Sequence, residues 1–119
     1  MRSKASWGIL LNQECDPVFA RVDKLLELLT KSKSLHILYI LNIDNEPMRF
    51  STIKKQVDSS STTIARRLNE LELNGLVIRT SEAPSSRNIV YSLTDNALHL
   101  APTIQSMYDW IVERDVYFV

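Results

Sequence analysis

The stretch of sequence that decides the fold reads DSSSTTIARRLNELELNGLVIRT and spans residues 58–80. Its first four residues are polar and can cap a helix. Its apolar residues then recur at steps of four and three, which is the spacing of one inward helical face. These apolar residues are Ile64, Leu68 and Leu71. Asn74 and Gly75 supply a left-handed stop, so the stretch predicts a well-capped helix over about 60–74.

A shorter helix precedes this one. Phe50, Ile53 and Val57 share one helical face, and Ser51 is a suitable N-cap. Two short helices joined by a tight polar turn are typical of a helix-turn-helix. We therefore predict a helix-turn-helix over 51–74, with a short extended piece at 48–50 in front of it.

Two strand-like segments and a long helix follow. Residues 76–80 and 88–93 are rich in β-branched residues, and the segment between them carries turn-forming proline and serine. This pattern predicts a β-hairpin wing over 76–93. A final helix is predicted over 94–115, about 30 Å long, with Pro102 as a potential kink site.

Two more helices are predicted before the helix-turn-helix. Asp16 is a good N-cap and Pro17 suits a first helical position, so one helix covers 16–30. The second, at 35–43, is apolar nearly all round and is predicted to be the most buried helix. The whole chain, 1–119, then forms one domain of the mainly α class with a small β-hairpin wing (α+β). It is a winged helix-turn-helix with an additional helix at each end and an N-terminal arm at 1–15.

Composition excludes several function classes. The 119 residues carry 14 basic and 14 acidic side chains, so affinity for nucleic acid has to come from the distribution of charge. Two glycines are too few for a glycine-rich phosphate loop, and one cysteine cannot form an internal disulfide or a cysteine zinc cluster. His36 and His99 lack neighbours at metal-ligand spacing. We therefore expect no enzyme, no metal and no cofactor. The apolar runs are too short for a membrane span, so we expect a cytoplasmic protein without membrane contact.

The helix over 60–74 has an outward polar face. Thr62, Arg66 and Asn69 lie opposite Ile64 at 100° per residue, and Thr63, Arg67 and Glu70 are expected on a flank. Arginine can pair bidentately with guanine, and threonine can contact phosphate or the thymine methyl group. A solvated polar face is the alternative interpretation.

Charge is distributed unevenly. Residues 49–67 carry a net charge of +4, whereas residues 91–119 carry −3, although scatter of charge is an alternative interpretation. A basic face opposite an acidic end is expected of a phosphate-binding surface. Arg87, near the tip of the wing, could reach a minor groove or a phosphate. The predicted DNA contacts are Arg49, Lys54, Lys55, Ser59, Ser60, Ser61, Thr62, Thr63, Arg66, Arg67, Ser85, Ser86 and Arg87.

The last helix has a wider apolar face than packing on one small domain needs. We interpret the surplus as a two-fold dimer interface built with the first helix, and a larger monomer core is the alternative. The predicted interface residues are Val18, Val22, Leu100, Ile104, Met107, Tyr108, Trp110 and Ile111. Apolar residues of the N-terminal arm (Trp7, Ile9, Leu10 and Leu11) are expected to join them. His36 is expected in the core or in this interface.

Cys15 lies at the predicted start of the first helix, where the helix dipole favours a thiolate. A redox or electrophile switch is therefore one interpretation. A small packed residue is the more common role for a lone cysteine.

Several motifs, in this order and spacing, resemble the HxlR-type family of MarR-like winged-helix regulators of bacteria and archaea. They are RF at 49–50, RLNELELNGLV at 67–77, RT at 79–80, YSLT at 91–94, and Leu100, Pro102 and Trp110. A Cys-Pro motif of the family corresponds to Cys15 and Pro17 with Asp16 inserted between them. The chain departs from the family where Gly-Lys-Trp is replaced by SKS at 32–34, and where the wing keeps only Pro84.

The resemblance implies a homodimeric, DNA-binding repressor or activator. Its recognition helix would lie in the major groove, and its wing at the adjacent minor groove or backbone. Two such helices about 34 Å apart would read half-sites one helical turn apart. The alternative is a winged-helix protein-interaction module without specific DNA binding, which the net charge of zero favours. An enzyme with Cys15 as nucleophile lacks a nearby base. No particular small-molecule effector is indicated.

Overall fold

The computed structural model of the chain describes residues 16–81 and 88–119. Within them it contains five helices and one three-stranded antiparallel sheet, which confirms the mainly α winged helix-turn-helix. The helices are α1 (Pro17–Leu29), α2 (Ser34–Asp44), α3 (Phe50–Val57), α4 (Ser61–Leu73) and α5 (Asp95–Arg114). The strands are β1 (Met48–Arg49), β2 (Val77–Ser81) and β3 (Ile89–Leu93).

Helix α2 lies at the centre of the domain. It packs against α1, α3, α4, α5 and β3, which explains why it is apolar nearly all round. Around it, the predicted faces of α3 and α4 form the core: Ile37, Leu41, Ile53, Val57, Ile64, Leu68 and Leu71 are all at most 2% exposed. The sequence pattern of these three helices is therefore confirmed.

Both ends of α4 are capped as the sequence predicts. The Ser60 hydroxyl accepts the Thr63 N–H at 3.2 Å. At the other end the Leu76 N–H donates to the Leu71 carbonyl at 2.9 Å and the Gly75 N–H to Glu72 at 3.1 Å. This pair of bonds is a Schellman motif, and Gly75 takes its left-handed position with φ +75°.

Thr94 joins the end of α4 to the start of α5. Its hydroxyl donates to the Gly75 carbonyl at 2.6 Å and accepts the Ala97 N–H at 3.1 Å, so it is also the N-cap of α5. Its own N–H donates to the Leu76 carbonyl at 3.1 Å. One residue thus fixes where the long helix leaves the helix-turn-helix.

The wing is built as an antiparallel hairpin. The sheet order is β1-β3-β2, with Arg79 opposite Tyr91 in the wing and Met48 opposite Tyr91 on the other side of β3. The extended piece before α3 therefore serves as an edge strand. The predicted wing-tip contacts Ser85, Ser86 and Arg87 lie outside the described residues.

One predicted helix boundary is corrected, and two residues predicted for the interface are found against the core. Helix α3 begins at Phe50, with Arg49 at the cap position and no side-chain cap, so Ser51 is inside the helix. Leu100 packs against the core and Ile104 is 9% exposed, because this side of α5 faces α2 of the same chain. Both residues therefore pack in the core of their own chain, and their predicted place in a dimer interface stays a prediction.

Helix α5 continues through Pro102 as one helix of 20 residues. Proline removes one helical hydrogen bond and leaves the carbonyl of Leu98 without its donor. Leu98 and Pro102 are both on the exposed side of α5, where water can satisfy that carbonyl. Among residues 16–81 and 88–119, no helix is long and apolar enough to cross a bilayer.

Candidate nucleic-acid interface

The outward face of α4 carries polar side chains that the core does not use. Thr62, Arg66 and Asn69 are all exposed, and the small Ala65 lies beside them. Ile64 and Leu68 hold the opposite side of the helix in the core. A rigid helix therefore presents a hydroxyl, a guanidinium and an amide on one ridge, which are the groups that hydrogen-bond bases and phosphates.

The N-terminal turn of α4 adds backbone donors to this ridge. The Ser60 hydroxyl donates to the Thr63 hydroxyl oxygen at 3.1 Å and accepts the Thr63 N–H, so both hydroxyls are held in the cap. By helix geometry the N–H groups of Ser61 and Thr62 have no intrahelical partner. Together with the helix dipole they favour an anion at this end.

Basic side chains flank this N-terminal end. Lys54 and Lys55 lie in the last turn of α3, which leads through the turn at 58–60 into α4. Lys55 is exposed, whereas Lys54 and Ser59 are only partly exposed. Arg49 is exposed at the start of the same helix. Lys54, Lys55 and the turn at 58–60 therefore lie close to the start of α4 along the chain, whereas Arg49 is at the opposite end of α3.

Arg67 departs from the sequence expectation. It is 9% exposed, and its Nη1 donates to Glu70 Oε1 at 3.0 Å. The helical wheel explains this position, because Arg67 lies about 60° from Ile64 and so nearer the core than the flank. The prediction of an outward Arg67 is thus corrected, and of the two adjacent arginines only Arg66 is on the outer ridge.

Arg79 is a candidate contact that the sequence reasoning missed. It is exposed on β2, the outer strand of the wing, and Thr80 follows it on the same exposed strand. The available signal was a basic residue on the strand that directly follows α4. Cys15 and the apolar residues of the N-terminal arm lie outside the described residues.

A second, apolar surface lies away from this ridge. An open groove of about 890 Å³, here called the α2–α5 groove, separates the start of α2 from the second half of α5. It is lined by Leu35, His36, Tyr39, Met107, Tyr108, Trp110 and Ile111, among others. His36 is exposed, so its predicted core role is wrong and its interface role stays a prediction.

Aromatic contacts shape one wall and the end of the α2–α5 groove. The Tyr39 and Tyr108 rings stack at 4.9 Å and 19°. Partial burial raises the pKa of Tyr39 above its usual value, a hydrogen bond with Tyr108 adds to the rise, and a hydrogen bond from Gln105 opposes it. Beyond α5 the chain turns at Asp115, and the Phe118 ring stacks on Trp110 at 6.1 Å.

Helix α1 also leaves apolar side chains in solvent. Val18, Val22 and Leu26 are 58%, 38% and 49% exposed, whereas only Leu28 and Leu29 in its last turn are buried. The described residues contain no cluster of three or more histidine, cysteine or acidic side chains that could hold a metal. The two notable surfaces of the described chain are therefore the polar ridge of α4 and the apolar faces of α1 and α5.

Comparisons with known proteins agree with this architecture. Residues 28–115 match the model of a family described as HxlR-like helix-turn-helix. An uncharacterized HTH-type transcriptional regulator of Halalkalibacterium halodurans is 34% identical over 79 residues, which is 66% of this chain and 69% of that protein. The reduced form of the transcriptional regulator YodB from Bacillus subtilis has a TM-score of 0.68 at 28% identity and covers 82% of this chain and 92% of its own. A possible HxlR family transcriptional factor from Thermoplasma volcanium has a TM-score of 0.67 at 26% identity, over 76% of this chain and 81% of its own.

Proposed function

The chain belongs to the HxlR-like helix-turn-helix family of transcriptional regulators, and from this premise we propose that it is a homodimer that binds specific DNA sites. Helix α4 would enter the major groove, and the wing would lie at the adjacent minor groove or backbone. Membership in a family of transcriptional regulators agrees with the prediction that the chain is not an enzyme.

The observation that carries the proposal is the exposed ridge of Thr62, Arg66 and Asn69 on a helix whose other side is fixed in the core. Arg66 and Asn69 have the side chains that pair with guanine and adenine in the major groove. Lys55 and the free N–H groups at the start of α4 would hold the phosphates beside that groove. We add Arg79 to the proposed contacts and leave out Arg67.

The exposed apolar side chains of α1 and α5 support the homodimer. Met107, Trp110 and Ile111 are 48%, 49% and 39% exposed, and they lie beside the open α2–α5 groove. An apolar patch of this kind marks an interaction surface. In a two-fold dimer each chain would offer the same patch to the other, and the two copies of α4 would be about 34 Å apart.

Salt-dependent fluorescence anisotropy on random duplex DNA tests whether the protein binds DNA at all. A DNA-binding regulator neutralises several phosphates, so its affinity is expected to fall by orders of magnitude between low and high salt. A protein-interaction module would bind at neither salt concentration, and that result would overturn the proposal. In vitro selection of bound duplexes would then give the half-site and its spacing.

A further inference from the structure

We propose that Arg67 is a positioning residue that holds the Glu70 carboxylate away from Arg66 and thereby keeps Arg66 free for DNA. This inference rests on the proposed DNA-binding function. It assigns opposite roles to two adjacent arginines: Arg66 contacts DNA, and Arg67 acts only through a carboxylate of its own helix.

The geometry of the pair carries the inference. The Arg67 guanidinium meets Glu70 Oε1 at 3.0 Å, with side-chain exposures of 10% and 25%. The Nε atom of Arg67 is buried and has no hydrogen-bond partner among the described residues. Glu70 therefore supplies a charge partner for a guanidinium that is nearly removed from water. A charge-assisted hydrogen bond of this kind is stronger than a neutral one, and loss of either partner leaves a charge uncompensated.

A second basic residue approaches the same carboxylate. Lys31, between α1 and α2, places its Nζ atom 3.9 Å from Glu70 Oε2. The Lys31 side chain is 47% exposed, so this contact is weaker than that of Arg67. The position of Lys31 matters, because an attraction between Lys31 and Glu70 acts toward the α1–α2 junction and away from the outer ridge of α4.

Glu70 has another arginine within reach on its own helix. Arg66 and Glu70 are spaced i and i+4, and side chains at this spacing are neighbours on a helix surface. On the helical wheel Glu70 lies about 40° from Arg66 and about 60° from Arg67, between the two. Without Arg67, the carboxylate would pair with Arg66 and place a negative charge where the DNA phosphates approach.

A double-mutant cycle on DNA affinity tests this competition. Arg67→Met replaces a buried charge with an apolar chain of similar length, and we expect the affinity for the selected site to fall about tenfold, as for one lost contact. Arg67→Met combined with Glu70→Gln should bind within about twofold of the wild type, because the competing charge is gone. In an Arg66→Ala background, Arg67→Met should cause no further loss.

Each outcome decides the inference. If the double variant binds as weakly as Arg67→Met alone, Arg67 contacts DNA directly or only supports the fold, and the proposal fails. Thermal unfolding followed by circular dichroism identifies loss of fold, and Arg67→Lys, which keeps the charge, should retain most of the affinity. If the wild type shows no salt-dependent binding to any duplex, the proposed function fails instead, so the two failures are distinguishable.

Discussion

Arg66 and Arg67 show how much one step along a helix changes the role of a side chain. The two differ by 100° around α4, which takes Arg66 to the exposed ridge and Arg67 to a 9% exposed site beside Glu70. Only the first can meet DNA without rearrangement. Residues 49–67 carry a net charge of +4. When the buried Arg67 is left out, the remaining charged residues of this segment sum to +3, so the segment is still basic.

Arg66→Ala should weaken binding to the selected site by about 1–3 kcal/mol and relax the preference for one base pair. The reason is that the variant lacks the guanidinium proposed to bind a base bidentately in the major groove. Anisotropy titrations on the selected duplex and on single-base variants of it measure both effects. Arg114→Ala is the matched control, since Arg114 is exposed in the last turn of α5, and it should bind like the wild type. Equal affinities of the two variants for the selected duplex would show that Arg66 on α4 is not part of the DNA interface.

The raised pKa of Tyr39 predicts a loss of stability in alkali. Its folded pKa lies above the usual 10.0, so the neutral phenol contributes stability that is complete below about pH 10 and is lost as pH rises through the folded pKa. Urea unfolding of the wild type and of Tyr39→Phe across this range should show a smaller alkaline loss for the variant. Tyr117→Phe, at an 85% exposed site, should lose stability like the wild type. Parallel curves for all three proteins would contradict the prediction.

The sequence was sufficient for residues that face plainly inward or outward, and insufficient near the boundary. Ile64, Leu68 and Leu71 are buried as the spacing predicts. The helical wheel placed Arg67 on a flank of α4 together with the outward polar residues, whereas in the structure it is 9% exposed and paired with Glu70. A buried ion pair depends on what lies across from it, here including Lys31 at the α1–α2 junction, and periodicity within one helix does not contain that information.

Helix ends are the elements that the sequence predicts best in this chain. The caps at Asp16, Ser60 and Thr94 each accept an N–H from two or three residues ahead. These bonds are local, so short motifs determine them. The start of α3 was misplaced because the helix begins without a side-chain cap, and Met48 and Arg49 before it pair with β3.

Ser60→Ala should destabilise the domain by about 1 kcal/mol, since the Thr63 N–H loses its acceptor at the start of α4. Urea unfolding monitored by circular dichroism measures the change in unfolding free energy. Ser61→Ala is the matched control, because Ser61 is the first residue of the helix and makes no capping bond. The prediction is wrong if both variants unfold at the same urea concentration.

At the scale of the whole molecule, both α1 and α5 leave apolar side chains exposed in the described part of the chain. The wide apolar face of α5 was evident from its sequence. Which of its residues pack in the core and which stay exposed was not. Leu100 and Ile104 are used by the core, while Met107, Trp110 and Ile111 remain exposed. That division depends on where α2 begins, and an amphipathic pattern in α5 alone cannot supply it.

Ile111→Asp combined with Val22→Asp should convert the proposed dimer into a folded monomer, because both charges would enter an apolar interface. Sedimentation equilibrium measures the mass, and anisotropy should show that affinity for a paired half-site falls much further than affinity for a single half-site. Leu73→Asp is the control for mass, since Leu73 is 78% exposed at the end of α4 and away from the groove. A wild-type mass for the double variant would place the interface elsewhere.

The hydroxyl of Thr94 has a mechanical consequence. It donates to the Gly75 carbonyl just after α4, and it also caps the start of α5, the helix that would meet the second copy. In the proposed dimer, a change in the tilt between the two α5 helices would therefore move both α4 helices with them. The distance between the two α4 helices would then be set at the twofold axis, far from the DNA bases. The exposed polar face of each α4 would stay unchanged while that distance changes.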